Sequence, residues 1–115
     1  MAKAAATETP IAGYATVWEF RIRSERRAEF EHHYGPEGTW AGLFRQAAGY
    51  LGTELLHDRS DPLRYLTIDR WTSPGAYQAF RTEFARPYAI LDEACAGLTT
   101  HEAALGEYEE ASAAP

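Results

Sequence analysis

A chain of 115 residues with 45% hydrophobic side chains has room for one domain and one modest core. Its net charge of −6, with 11 Lys and Arg scattered among 17 Asp and Glu, excludes the basic stripe that a duplex nucleic-acid binder needs. The single cysteine, Cys95, excludes an internal disulfide framework and a cysteine-built zinc cluster. No stretch resembles a signal peptide or a membrane span, so a cytoplasmic location with no membrane partner is expected. Three Trp, seven Tyr and five Phe are more rings than so small a core requires. They point to a ring-lined cavity, a dimer face, or both.

Residues 1–12 and 109–115 are small, polar or acidic and read as flexible tails around one domain over 13–108. Tyr14 to Arg23 is rich in β-branched and aromatic residues and predicts a strand. Ser24 suits the N-cap of a helix from Glu25 to about Tyr34, which Gly35-Pro36 breaks. Trp40, Leu43 and Phe44 sit at helical spacing in a short helix, Thr39 to Gln46, closed by Gly49. Tyr50 to Asp58 and Leu63 to Trp71 predict two strands joined by a turn at Asp61-Pro62. Ser73-Pro74 opens the most regular helix, with Tyr77, Phe80, Phe84, Tyr88, Leu91, Cys95 and Leu98 on one stripe. Pro87 predicts a kink near Ala85-Arg86. Gly97 closes the helix, and Leu98 to Tyr108 predicts a fourth strand. The order is that of an α+β, ferredoxin-like βαββαβ fold: a four-stranded antiparallel sheet with helices on one face.

Alternation sorts the strand residues into two faces. Val17, Leu51, Leu55, Leu66, Ile68 and Leu105 form an aliphatic class, expected under the helices. Thr16, Trp18, Phe20, Glu54, Leu56, Tyr65, Thr67, Asp69, Trp71, Thr100 and Glu102 form an aromatic class. That face is too apolar to lie open to water. It is expected to meet a partner chain, with or without a pocket in which Thr67, Asp69 or Glu54 orients a ligand. A one-residue bulge would exchange the faces.

The stretch YGPEGTWAGLFRQAAGYLGTELLHD, then YLTIDRW, an Ala-Tyr-x-x-Phe helix and LDEACAGLTTHEAALGEYE, resembles the antibiotic biosynthesis monooxygenase family. The likeness spans about Tyr14 to Tyr108. It implies a dimeric α/β barrel, in which two ferredoxin-like sheets close face to face as a homodimer. Relatives oxidise aromatic polyketides with dioxygen and no metal or prosthetic group, and others degrade haem. Trp71 resembles the pocket tryptophan of both kinds. Better-studied members also use an Asn on the first strand. This chain has no Asn, and Thr16 is a candidate for that role. Haem degraders place a His on the helix after the Trp, but Ala76 to Phe84 contains none, so haem is not expected.

The resemblance and the residues together suggest a cofactor-independent monooxygenase acting on a small aromatic molecule. Trp71, Asp69 and Tyr65 are its catalytic candidates, and Thr16, Trp18, Phe20, Glu54 and Thr67 its substrate-binding candidates. A carboxylate among rings has its pKa raised and can deprotonate a phenol or anthrone. Trp71 can offer its indole N–H to a substrate anion or can serve only as packing. No bound cofactor is expected, though a diffusible reduced flavin is admissible. His32, His33, His57 and His101 show no metal-site spacing. Tyr77, Tyr88, Arg81 and Arg86 could meet a ligand from the last helix. Two other readings stay open: a binding or cyclising barrel without oxygen chemistry, and a stress-related or accessory dimer without catalysis. The aromatic face carrying Trp71, between one sheet and its partner, is the expected place for a ligand.

Overall fold

The computed structural model of the chain describes residues 13–111. The tail expected over 1–12, and the end of the one expected over 109–115, lie outside the described residues. Four strands alternate with helices: β1 (Tyr14–Ile22), α1 (Arg27–Tyr34), α2 (Thr39–Phe44), β2 (Tyr50–His57), β3 (Arg64–Trp71), α3 (Pro74–Glu83), α4 (Ala85–Cys95) and β4 (Thr99–Glu109). The sheet order is β2-β3-β1-β4 and every neighbouring pair is antiparallel. This is the expected ferredoxin-like α+β architecture. No helix among the described residues is long and apolar enough to cross a membrane.

Local chemistry sets most of the boundaries. Ser73 caps α3: its Oγ accepts the N–H of Ala76 at 3.0 Å, and Pro74 takes the first helical position. The cap expected from Ser24 is not made. Ser24 lies inside a 3-10 turn, Ser24–Arg26, and α1 starts only at Arg27. The long helix divides at Phe84 (φ −109°, ψ 27°), one residue before the expected kink. Pro87 then falls in the first turn of α4, where a missing N–H forfeits no intrahelical bond. Gly49 holds φ +90°, and a Cβ there would lie 2.6 Å from the Cβ of Ala76. Only glycine lets the chain turn into β2 so close to α3. The last strand extends one residue beyond expectation, and the N–H of Glu110 donates to the Gly13 carbonyl at 2.8 Å.

The structure corrects the assignment of the sheet faces. The helices cover the aromatic face, not the aliphatic one. Tyr14, Thr16, Phe20, Ile22, Tyr65, Thr67 and Trp71 are all buried beneath them. The physical reason is that the helix stripes are aromatic too. Phe30 stacks on Tyr34 at 4.4 Å, and Phe20 and Tyr65 tilt against Phe30 at 5.5 and 4.9 Å. Phe80 approaches both Phe44 and Trp71 at 5.2 Å. Rings bury more apolar area per residue than aliphatic chains, and tilted or edge-on pairs suit their quadrupoles. Aromatic sheet and aromatic helices therefore select each other.

Bulges complete the correction. β2 gains one residue between Tyr50 and Gly52. Thr53, Leu55 and His57 then oppose Asp69, Thr67 and Tyr65 on the helix side, while Glu54 and Leu56 oppose Ile68 and Leu66 on the other. β4 shifts twice, beside Val17/Trp18 and Arg21/Ile22. Thr100 falls at the second shift and is exposed, its hydroxyl donating to the Arg21 carbonyl. The uncovered face carries half-buried Val17, Leu66 and Ile68 with exposed Leu56.

Phe30 is wholly buried at the meeting of Phe20, Tyr34 and Tyr65. Phe30→Ala removes that hub, and urea denaturation is expected to show a loss of ~3–5 kcal/mol. A loss below about 1 kcal/mol would mean that the rings around it carry no joint packing.

Candidate functional site

Helices and sheet do not close completely. Between them lies a cavity of about 260 Å³. The sheet supplies Trp18, Phe20, Thr53, Thr67, Asp69 and Glu102. The helices supply Tyr34, Trp40, Phe44, Arg81, Tyr88 and Asp92. A wider hollow of about 570 Å³ adjoins it over β1, β4 and α3. Trp18 and Arg81 belong to both, and Thr16, Tyr77 and Glu107 to the second alone. This cavity lies between sheet and helices, whereas the sequence led us to expect a ligand at the face-to-face contact of two sheets. The reason is the exchange of faces already described.

Of the sequence candidates, Trp18, Phe20, Thr67 and Asp69 come together on the cavity wall. Thr16 is buried in the wall of the adjoining hollow. Trp71 lies in the core behind the wall, fully buried among Phe44, Tyr50, Tyr77 and Phe80. Its indole N–H has no acceptor among the described residues. Tyr65 lies at the far end of the sheet. Its hydroxyl accepts from Arg27 at 2.7 Å and donates to Glu31, and its ring stacks on His57. Glu54 is on the uncovered face, 3.3 Å from Arg70, because the β2 bulge turns it outward. Alternation alone missed Thr53, which the same bulge turns inward. Tyr34, Trp40 and Phe44 read from the sequence only as parts of helices.

Asp69 is the acidic group set deepest. Burial pushes its carboxyl from 3.8 up to about 6, and a hydrogen bond from Thr53 Oγ1 at 2.6 Å holds it back in part. Burial also pushes Tyr88 up to about 12, although the Arg81 guanidinium lies 4.0 Å from its ring centroid and pulls the other way. Tyr34 and Tyr50 are raised by burial as well. At neutral pH neutral phenols therefore stand beside a carboxylate, Asp69, that has just lost its proton, with Asp92 and Glu102 also on the wall. Arg81 donates to Tyr77 Oη at 3.1 Å and has no carboxylate within ion-pair distance among the described residues. It stands exposed at the boundary of the two hollows. Flat walls, a tunable base and an unpaired cation suit an aromatic ligand with an acidic proton. Among the described residues no three His, Cys, Asp or Glu side chains group as a metal site.

The family model described as antibiotic biosynthesis monooxygenase matches residues 13–84. A solved protein from Bordetella bronchiseptica bearing the same family description superposes with a TM-score of 0.70 at 16% identity, over 88% of this chain and 99% of that one. One from Deinococcus radiodurans gives 0.68 at 22% identity, over 89% and 96%. SnoaB from Streptomyces nogalater, described as a cofactor-independent oxygenase, gives 0.60 at 22% identity, over 90% and 98%. At these identities the likeness is one of fold. No curated protein matches.

The Asp69 carboxyl binds its proton more tightly folded than unfolded. Its contribution to stability is fully present below pH 3.8 and is lost as pH rises through about 6. The loss amounts to ~3 kcal/mol at neutral pH. Asp69→Asn, which can still accept from Thr53, is expected to match the parent near pH 4 and to exceed it at pH 7 by about that amount. Urea titrations across pH 4–8 check this, and a stability gap that does not widen with pH refutes it.

Proposed function

This chain belongs to the antibiotic biosynthesis monooxygenase family, and we propose that it oxidises an electron-rich aromatic small molecule with dioxygen in the cavity over Asp69, without a bound cofactor. The carrying observation is a raised carboxyl in a ring-lined chamber. Asp69 is largely ionised at pH 7 yet basic enough to accept a proton from a phenol or an activated ring methylene. Loss of that proton leaves a delocalised carbanion, which can reduce dioxygen directly. For an anthrone-type methylene both hydrogens leave the carbon. One oxygen atom becomes the new carbonyl and the other departs as water.

The protein's part is to hold the ring, take the proton and keep the anion among weakly polar walls. Apolar cavities of about 150 Å³ already admit benzene. At about 260 Å³ this one suits a fused bicyclic plane, and a larger substrate would extend past Trp18 and Arg81 into the adjoining hollow. Phe20 and Trp18 offer stacking surface. Thr67, buried next to Asp69 on the same face, offers a hydroxyl. Trp71 supports the wall from behind through Phe44, 5.7 Å away. Tyr65 anchors α1 to β3.

The uncovered sheet face supports a homodimer. Leu56 and Leu51 are 46% and 60% exposed there, beside half-buried Val17, Leu66 and Ile68. Such a patch is costly to leave in water. Leu56→Arg is expected to convert a dimer to monomer in light scattering while leaving the circular dichroism unchanged. A dimer that survives it places the contact elsewhere.

Oxygen uptake with a panel of anthrones and quinols, no flavin added, tests the reaction. The active substrate should show kcat/KM rising through about pH 6, the limb set by Asp69. Asp69→Asn should lower kcat/KM by ~10²–10⁴-fold and abolish that limb. Full turnover by this variant would remove Asp69 as the base. Uptake that appears only with reduced flavin would replace the cofactor-free reading.

A further inference from the structure

Thr53 and Asp69 are directly opposed on the β2–β3 ladder. Thr53 Oγ1 donates to Asp69 Oδ1 across 2.6 Å. Tyr50 Oη lies 2.7 Å from the same threonine oxygen. A threonine hydroxyl has one proton to give. With that proton committed to Asp69, the Tyr50 hydroxyl must donate on the other side. The chain of bonds therefore has one direction, from Tyr50 through Thr53 to Asp69. Asp69 and Thr53 belong to the cavity wall, whereas Tyr50 is half-buried outside it. The second carboxylate oxygen, Oδ2, has no donor among the described residues, yet it is not sealed away from the cavity.

The geometry points to Thr53 and Tyr50 as positioning residues of the site: their hydroxyls pin Asp69 Oδ1 and leave Oδ2 as the oxygen that meets a ligand's acidic proton. This rests on the reading of Asp69 as the base. A carboxylate with one oxygen held cannot rotate freely, so the free oxygen keeps one bearing toward the bound ring. Each hydroxyl also favours the ionised carboxylate, and the second strengthens the first by polarisation. The other ionisable groups around the cavity are Tyr34 of α1, Arg81 of α3, Tyr88 and Asp92 of α4, and Glu102 of β4. Arg45 and Glu37 act on Tyr50 from the surface side.

The test reads the Asp69 side-chain carboxyl by carbon-13 NMR titration of the whole chain, with Asp69→Asn identifying the signal. Thr53→Val should raise the midpoint by ~1 pH unit, a tenfold gain in proton affinity. Thr53→Ser, which keeps the hydroxyl, should leave it in place. Tyr50→Phe should raise it by a smaller step, about twofold in affinity. Thr53→Ala replaces the valine variant if that one does not fold. An unmoved or lowered midpoint without the Thr53 hydroxyl overturns the assignment, and an unmoved midpoint in Tyr50→Phe overturns the part given to Tyr50. The titration needs no substrate. It therefore stands or falls separately from oxygen uptake, which alone decides whether Asp69 is the base.

Discussion

Rings against rings hold this molecule together and hold it open. Where Phe30, Tyr34, Phe44 and Phe80 meet Phe20, Tyr65 and Trp71, the rings pack closely. Aromatic side chains are rigid, with two torsions each, so they fill space without collapsing into every gap. Between the two packed ends, over Thr67 and Asp69, no ring reaches across, and a chamber remains. Fold stability and the chamber therefore come from the same side chains. A change that fills one end of the core better would tend to move the walls of the other.

The chamber's polar groups are ordered by depth. One carboxylate sits deep, neutral phenols surround it, and one guanidinium stands at the rim over Tyr88. Desolvation alone would drive Asp69 towards its neutral acid. The Thr53 hydroxyl opposes that drift and keeps the group near the point where either form is accessible at neutral pH. A group so balanced responds to small changes in its neighbours. A ligand that displaces water from the cavity would push it further towards the protonated form, and one that donates to Oδ2 would pull it back.

The elements and their order were legible in the sequence because caps, breakers and stripes are local. Ser73-Pro74 and Gly49 announced their boundaries, and the α3–α4 stripe announced its buried side. Asp69, Thr67, Phe20 and Trp18 were legible as one constellation because all four lie on β1 and β3, which pair without a shift. What failed was non-local. Which face the helices cover depends on what the helices carry. An aliphatic row looked like core until the rings of α1, α2 and α3 were set against it. Glu54 and Thr53 changed places because an extra residue in β2 leaves no mark in a pattern of alternation. The helix-side walls, Tyr34, Trp40 and Phe44, depend on tertiary contact and carry no signal beyond their helical spacing.

The β2 bulge has a consequence beyond pairing. Drawn straight from Tyr50, the strand would set Gly52 opposite Asp69 and Glu54 opposite Thr67. The chamber would lose the Thr53 hydroxyl opposite Asp69 and gain a further carboxylate two positions from it. Two acids so close share protons and do not titrate independently. The same amino acids, one step out of phase, would set a different arrangement of acids and hydroxyls inside an unchanged scaffold. A single insertion or deletion in an edge strand is thus a route by which proteins of this shape can exchange one chemistry for another while every helix stays where it is.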